Sequence, residues 1–173
     1  MSTLRGWGRT QPVVARVVTP ASEEDVAVVL AGATGRVIAR GLGRSYGDAA
    51  QVAGGTVLDA RGLGGVGAID RATHEVEVGA GASIDAILRA SVPEGFFVPV
   101  SPGTRQVTVG GAIAADVHGK NHHRDGAFCE HVTSLRLVAP TGARTVGPDA
   151  EPDVFWATAG GMGLTGVVTE ASV

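Results

Sequence analysis

Val37-Ile-Ala-Arg-Gly-Leu-Gly-Arg-Ser-Tyr-Gly-Asp48 is the stretch that decides how this chain folds. Val37–Arg40 reads as a short buried strand. It runs straight into a loop that sets Gly41, Gly43 and Gly47 beside Arg40, Arg44, Ser45 and Asp48. A backbone N–H can approach an anion closely only where no Cβ stands in the way, and glycine also permits the φ > 0 turns that make N–H groups converge. A second stretch of similar chemistry follows downstream, Pro102-Gly-Thr-Arg-Gln-Val-Thr-Val-Gly-Gly-Ala-Ile-Ala-Ala-Asp-Val-His-Gly-Lys-Asn-His-His123. Two such loops point to a long anionic ligand held between them, such as a dinucleotide.

The formal G-x-G-x-x-G pattern lies elsewhere, at Gly161-Met-Gly-Leu-Thr-Gly166, and its context is wrong for a Rossmann site. That fingerprint needs a strand before the glycines and a helix after them, so that the helix N-terminus faces the pyrophosphate. Here a helix-like segment, Asp153–Thr158, precedes the glycines and a β-type run follows. The first loop has the strand-to-loop context but spaces its glycines as G-x-G-x-x-x-G. It also lacks the Gly-Lys-Ser/Thr ending of a P-loop.

Composition bounds the rest. Hydrophobic residues make up 44% of the 173 and charged residues 18%, so the chain can build a core and is not disordered. Glycine is enriched, at 27 residues, and falls at element ends and in the two loops. A net charge of −3 gives no basic footprint for a nucleic-acid backbone, and seven aromatic residues are too few for a base-stacking platform. The single cysteine, Cys129, excludes an internal disulfide framework. The first residues contain no apolar signal-peptide core, and no run of eighteen apolar residues occurs. The expected location is cytoplasmic or periplasmic, with at most peripheral membrane contact.

The periodicities predict a mixed α+β chain. Ser22 caps a helix with Val26, Val29 and Leu30 on one face, ended by Gly32 or Gly35. Thr56–Ala60 and the alternating Glu75–Gly79 read as strands. Ser83 caps a second helix whose stripe is Ile84, Ile87 and Leu88. Phe96–Val100 reads as a strand feeding the second loop, Gly110–Asp116 as a short helix of small residues, and Leu135–Ala139 as a strand before a turn at Thr141-Gly142. Gly166–Val173 is a β-type run without a cap, which reads as a domain cut short. The division expected is one domain over 1–173, with subdomains at about 1–100 and 101–173.

The residues of both loops resemble the two FAD-binding segments of the vanillyl-alcohol oxidase/p-cresol methylhydroxylase flavoprotein fold. Within that superfamily, Gly6-Trp-Gly-Arg9, Arg40-Gly-Leu-Gly-Arg-Ser-Tyr-Gly-Asp48, His118-Gly-Lys-Asn-His-His123 and Phe155-Trp-Ala-Thr158 resemble the flavin oxidases of decaprenyl-phosphate-linked ribose. The resemblance runs from Leu4 to Val168. It implies two small α/β subdomains, FAD as cofactor and oxidation of the ribose 2′-hydroxyl to a ketone. That step is the first half of an epimerisation to the arabinose donor of cell-wall arabinan. An NADH-dependent keto-reductase would be the partner that completes it.

The resemblance also assigns roles. Ala39, Arg40, Gly41, Leu42, Gly43, Arg44, Ser45, Tyr46, Gly47, Asp48 and Ala49 would line one side of the cofactor. Gly103, Thr108, Val109, Gly110 and Gly111 would line the other. Ala115, Asp116, Val117 and His118 would follow the flavin ring, and Val168 would touch the adenine or flavin-linked part. His118, Lys120 and Tyr46 are the candidates at the reactive face, and Trp7 is a candidate to close it. Many relatives attach flavin covalently through a histidine just before the loop serine; Arg44 stands there, which implies a dissociable FAD.

Other readings compete. Asp116, His118, His122, His123, Cys129 and His131 form a metal-like cluster, but Gly-Lys-Asn between His118 and His122 offers no general-base glutamate and a poor helix. No metal is expected. The chain could instead serve another FAD-linked sugar or alcohol oxidase, or bind flavin without catalysis. In the family a second, substrate-binding domain follows this segment, so these residues alone are expected to turn over poorly or not at all.

Overall fold

The computed structural model describes residues 1–173. Two sheets carry the fold, each with its own helices. The first is built from β1 (Ser2–Leu4), β2 (Val13–Val18), β3 (Val37–Arg40) and β4 (Thr56–Asp59), in the order β1-β2-β4-β3. β2, β4 and β3 run parallel, and β1 closes the edge antiparallel to β2. The crossover from β2 to β3 is α1 (Glu23–Ala31). Ser22 accepts a hydrogen bond from the Asp25 N–H to start it, and Gly32 ends it. Parallel neighbours cannot be joined by a tight turn. The β3-to-β4 connection is therefore long, and it is the first glycine loop.

The second sheet is antiparallel, ordered β5-β6-β9-β7-β8, from β5 (Val66–Asp70), β6 (Glu75–Gly79), β7 (Ser134–Ala139), β8 (Gly142–Val146) and β9 (Val167–Ser172). Four helices accompany it: α2 (Ile84–Ser91), α3 (Val109–Ala114), α4 (His122–Asp125) and α5 (Pro152–Thr158). Its main core gathers Ile84 and Ile87 of α2, Ala112 and Ile113 of α3, Phe128, Phe155, Leu135 and Leu137. A smaller core joins the two lobes, where Val26 and Leu58 meet Val138 and Val167. No helix is long and apolar enough to cross a membrane.

Two expectations need correction. The sheets do not divide near residue 100. The change of sheet falls between β4, which ends at Asp59, and β5, which begins at Val66, because the β5–β6 hairpin pairs with the chain's last strand, β9. Phe96–Val100 is also not a strand. It is extended, with Val98 and Val100 buried and Phe97 exposed, but Pro99 has no N–H to donate and no strand pairs with it.

An ion pair ties the lobes beside the smaller core. Glu23 of α1 accepts from Arg136 Nε at 2.9 Å and Nη2 at 2.5 Å. The Arg136 hydrogen bonds hold the Glu23 carboxyl below its ordinary pKa. Glu170, opposite Arg136 on β9, is pushed the other way, first by burial and then by Glu77 on β6. A carboxyl whose folded pKa is raised is penalised in its charged form. The penalty is absent below the unfolded pKa and complete once pH passes the folded one. Glu170→Gln is therefore expected to raise Tm at pH 7 by about 1–2 °C, a gain that vanishes in a melt below pH 4. A variant that melts lower than wild type at pH 7 would contradict this.

Candidate functional site

A cleft of about 520 Å³ lies where the two lobes meet. It opens at the C-terminal ends of the parallel strands β3 and β4, the end at which open parallel sheets place their ligands. One wall is Ala39 through Ala50 plus Ala60. The other comes from the second lobe and includes Ala80, Val107, Thr108, Gly110, Gly111, Ala114, Ala115, Val117 and Val168. The volume lies within the usual range for small-molecule and cofactor sites, roughly 300–1,000 Å³.

The two glycine loops contribute differently. In the second, the three backbone donors that open α3 are already committed. Val109 N–H bonds Ala82 O at 2.8 Å, Gly110 N–H bonds Ala80 O at 2.8 Å, and Gly111 N–H bonds Thr108 Oγ1 at 3.2 Å. Thr108 is 2% exposed and caps α3. In the first loop, no N–H from Gly41 to Ala50 donates to any acceptor in the protein, although Gly41–Ser45, Ala49 and Ala50 are half-buried. Consecutive N–H groups left unpaired in a partly closed cleft can serve a bound anion, because shielded backbone donors are otherwise almost always satisfied within the protein or by water. The sequence suggested that both loops offer bare N–H groups. The structure gives that part to the whole of the first loop, whereas Val109, Gly110 and Gly111 of the second spend their N–H groups inside the protein and supply a close-fitting wall.

Close fit is visible at Gly41. A Cβ there would collide with Thr108 Oγ1 and stand 3.0 Å from Thr108 Cβ, so the loops approach only because residue 41 has no side chain. Arg40 does not reach into the cleft as a free cation. Its guanidinium donates to Arg5 O at 2.6 Å and Ala50 O at 3.1 Å, and burial draws its pKa down against the opposing charge of Asp59. Arg44 lies over the Trp7 ring, 4.4 Å from its centroid. Tyr46 lines the rim and is 76% exposed.

Not every expected site residue reaches the cleft. Gly103 is exposed outside it, and Val109, the first residue of α3, is buried in the core. Asp116 turns away, accepting from the Cys129 N–H at 3.0 Å. His118 and Lys120 are exposed beyond the wall; His118 pairs its backbone with Ala127 and packs edge-on to His122 at 5.4 Å. α4 starts only at His122, so His118 and His122 share no helix face as a zinc pair would. Cys129 is buried, and burial with Asp116 pushes its thiol pKa up, which makes it unreactive.

The cleft also recruits residues the sequence reading passed over. Met162, Gly163 and Gly166 line it, from the same Gly161–Gly166 string that mimics a Rossmann fingerprint. That string joins α5 to β9, a helix-to-strand order, with Met162 at φ 53° and Gly163 at φ 76°. Ala80 was signalled by its flanking Gly79 and Gly81, a mark of close backbone approach at a strand end.

Residues 14–147 match the family described as FAD binding domain. The chain belongs to the FAD binding domain family. Its fold is accordingly an α+β FAD-binding domain of the p-cresol methylhydroxylase type and not a Rossmann domain, and its cofactor is FAD. Over 98% of its length the chain is 51% identical to decaprenylphosphoryl-beta-D-ribose oxidase of Mycolicibacterium smegmatis, of which it covers 38%. It is 50% identical over 47% of its length to an uncharacterized protein in the mprA 5′ region of Streptomyces coelicolor, covering 22% of that protein. It is also 33% identical over 95% of its length to cytokinin dehydrogenase 1 of Oryza sativa, again covering 33%. The chain thus spans well under half the length of these curated relatives.

Proposed function

We propose that this chain is the flavin-holding portion of an oxidoreductase acting on decaprenyl-phosphate-linked β-D-ribose, and that it holds FAD without a covalent bond. The observation that carries the reading is the run of unpaired N–H groups from Gly41 to Ala50, facing a wall of small residues across a glycine-dependent gap. The 51% identity to the ribose oxidase supports the substrate class. When bound, FAD supplies the acceptor for the hydride leaving the C2′–H carbon as the hydroxyl becomes a ketone.

The chain's own residues then divide the work. The free N–H groups of residues 41–50 hold the diphosphate, and Arg44 adds positive charge beside it. The methyl groups of Ala80, Ala114 and Ala115 offer flat apolar surface on which a planar ring system can lie. Lys120 and His118 are exposed outside the cleft wall, and their charge and hydrogen-bonding groups suit contact with a sugar phosphate. Oxidation of an alcohol also needs a base for the hydroxyl proton. The cleft wall contains no histidine, lysine or glutamate, and its titratable groups other than arginine are Tyr46 and Asp48. The ketone would pass to an NADH-dependent keto-reductase, which completes the epimerisation.

Acid precipitation of the flavin-loaded protein tests the cofactor reading. The yellow colour is expected entirely in the supernatant, since Arg44 occupies the position from which a histidine would bond the flavin. Flavin retained in the pellet would overturn the non-covalent assignment. Protein that neither carries flavin nor quenches the fluorescence of added FAD would overturn the site itself.

A further inference from the structure

The first glycine loop raises a mechanical problem. Its own N–H groups hold nothing within the protein, yet Gly41 to Ser45 are half-buried and the loop has a defined shape. Ordering such a segment only when a ligand arrives would subtract its conformational entropy from the affinity. Something else in the protein must hold it.

The structure assigns that part to the loop joining β1 to β2, residues 5–12, acting as a latch over the cofactor loop with Arg40 as its bolt. This latch is anchored at both ends, because β1 and β2 pair antiparallel on either side of it. Trp7 N–H donates to Ser45 O at 2.7 Å. Gly6 and Gly8 press directly on the loop backbone: a Cβ on Gly6 would overlap Gly47 O, and one on Gly8 would overlap Tyr46 O. Gln51 Nε2 donates to Gln11 O at 3.0 Å beyond the other end of the loop.

Arg40 closes the assembly. One arm of its guanidinium holds Arg5 O in the latch, and the other holds Ala50 O at the far end of the cofactor loop. Gly43, at φ 65°, leaves the space in which the same guanidinium sits. Both acceptors are neutral carbonyls, so the forked geometry of the side chain matters more than its charge. Arg40 is thus a positioning residue. It leaves the loop's N–H groups free by tying the Ala50 carbonyl to the latch, while Trp7 N–H holds the Ser45 carbonyl.

The full chain, stripped of flavin, provides a test that does not depend on the cofactor reading. Trypsin cleavage after Arg44, followed by mass spectrometry, reports how often the loop opens. Arg40→Met and Gly6→Ala are each expected to speed this cleavage about tenfold, the scale of one charge-assisted hydrogen bond, with an unchanged far-UV spectrum. Because both act on one latch, the double variant should be little faster than either single one. In a parallel FAD titration, which does rest on the proposed function, both should weaken binding by a similar factor, and Arg40→Lys should not restore it.

Arg44 cleavage unchanged by Gly6→Ala would overturn the latch, and this arm decides alone if Arg40→Met fails to fold. Weaker FAD binding by Arg40→Met with unchanged cleavage, or full rescue by Arg40→Lys, would make Arg40 a direct cationic ligand and overturn the latch as well. Faster cleavage in a protein that binds no FAD would leave the latch standing and sink only the cofactor reading.

Discussion

Gly41→Ala will lose FAD affinity by about 10- to 100-fold, the range that corresponds to the roughly 1–3 kcal/mol cost of forcing a methyl group into a packed contact. The added Cβ has no free direction: Thr108 Oγ1 occupies its place, and Thr108 is buried as the cap of α3. Relief requires moving either the first loop or the start of α3, and both are walls of the cleft. Thr108 adjoins Val109, Ala112 and Ile113 of the second-lobe core, so a thermal melt run beside the titration separates lost affinity from lost stability. Fluorescence titration with FAD measures the effect, and wild-type affinity in the variant would show that the ligand does not lie between these loops.

Phe128→Ala will act on stability first and on binding second. Phe128 is fully buried among the second-lobe residues, and its N–H holds Val117 O at 2.8 Å, so it pins the segment leaving α3 against the sheet. Truncating a buried phenylalanine costs about 3–5 kcal/mol. Against a typical total of 5–15 kcal/mol, that lowers Tm by about 10 °C or more. FAD should recover part of the loss by binding only the folded state. Thermal melts with and without FAD check both points; a shift of only a degree or two would mean that the site collapses around the missing ring.

Much of the fold was legible because local rules and tertiary packing agree. Ser22 and Ser83 cap the helices expected of them, Val37–Arg40 and Glu75–Gly79 are strands over those residues, and α3 is the short helix of small residues. Where alternation or apolar content was missing, elements passed unnoticed. β8 is exposed along four of its five residues and is a strand only because β7 offers it a full ladder of partners. Phe96–Val100 erred in the opposite sense: its alternation is real and its burial follows it, but Pro99 has no N–H to donate and its carbonyl accepts from Asn121 Nδ2 instead of a strand. The lobe boundary was misplaced for a related reason. Pairing between β6 and β9 joins residues far apart in the sequence, and no local signal announces it.

The site divides along the same line. Glycine, arginine and serine chemistry in residues 39–49 marked the donor-bearing wall of the cleft, because close backbone approach to an anion requires those residue types wherever they lie. By itself, then, the sequence determined the family, the cofactor and the loop that lines one wall of the cleft. Only the tertiary structure decided which donors remain free, that the N–H groups of Val109, Gly110 and Gly111 serve Ala82, Ala80 and Thr108 instead, and that Arg40 fastens a latch. A residue type fixes what a side chain can do. Which partner satisfies it depends on segments distant in the chain, and the packing of two sheets brings those together.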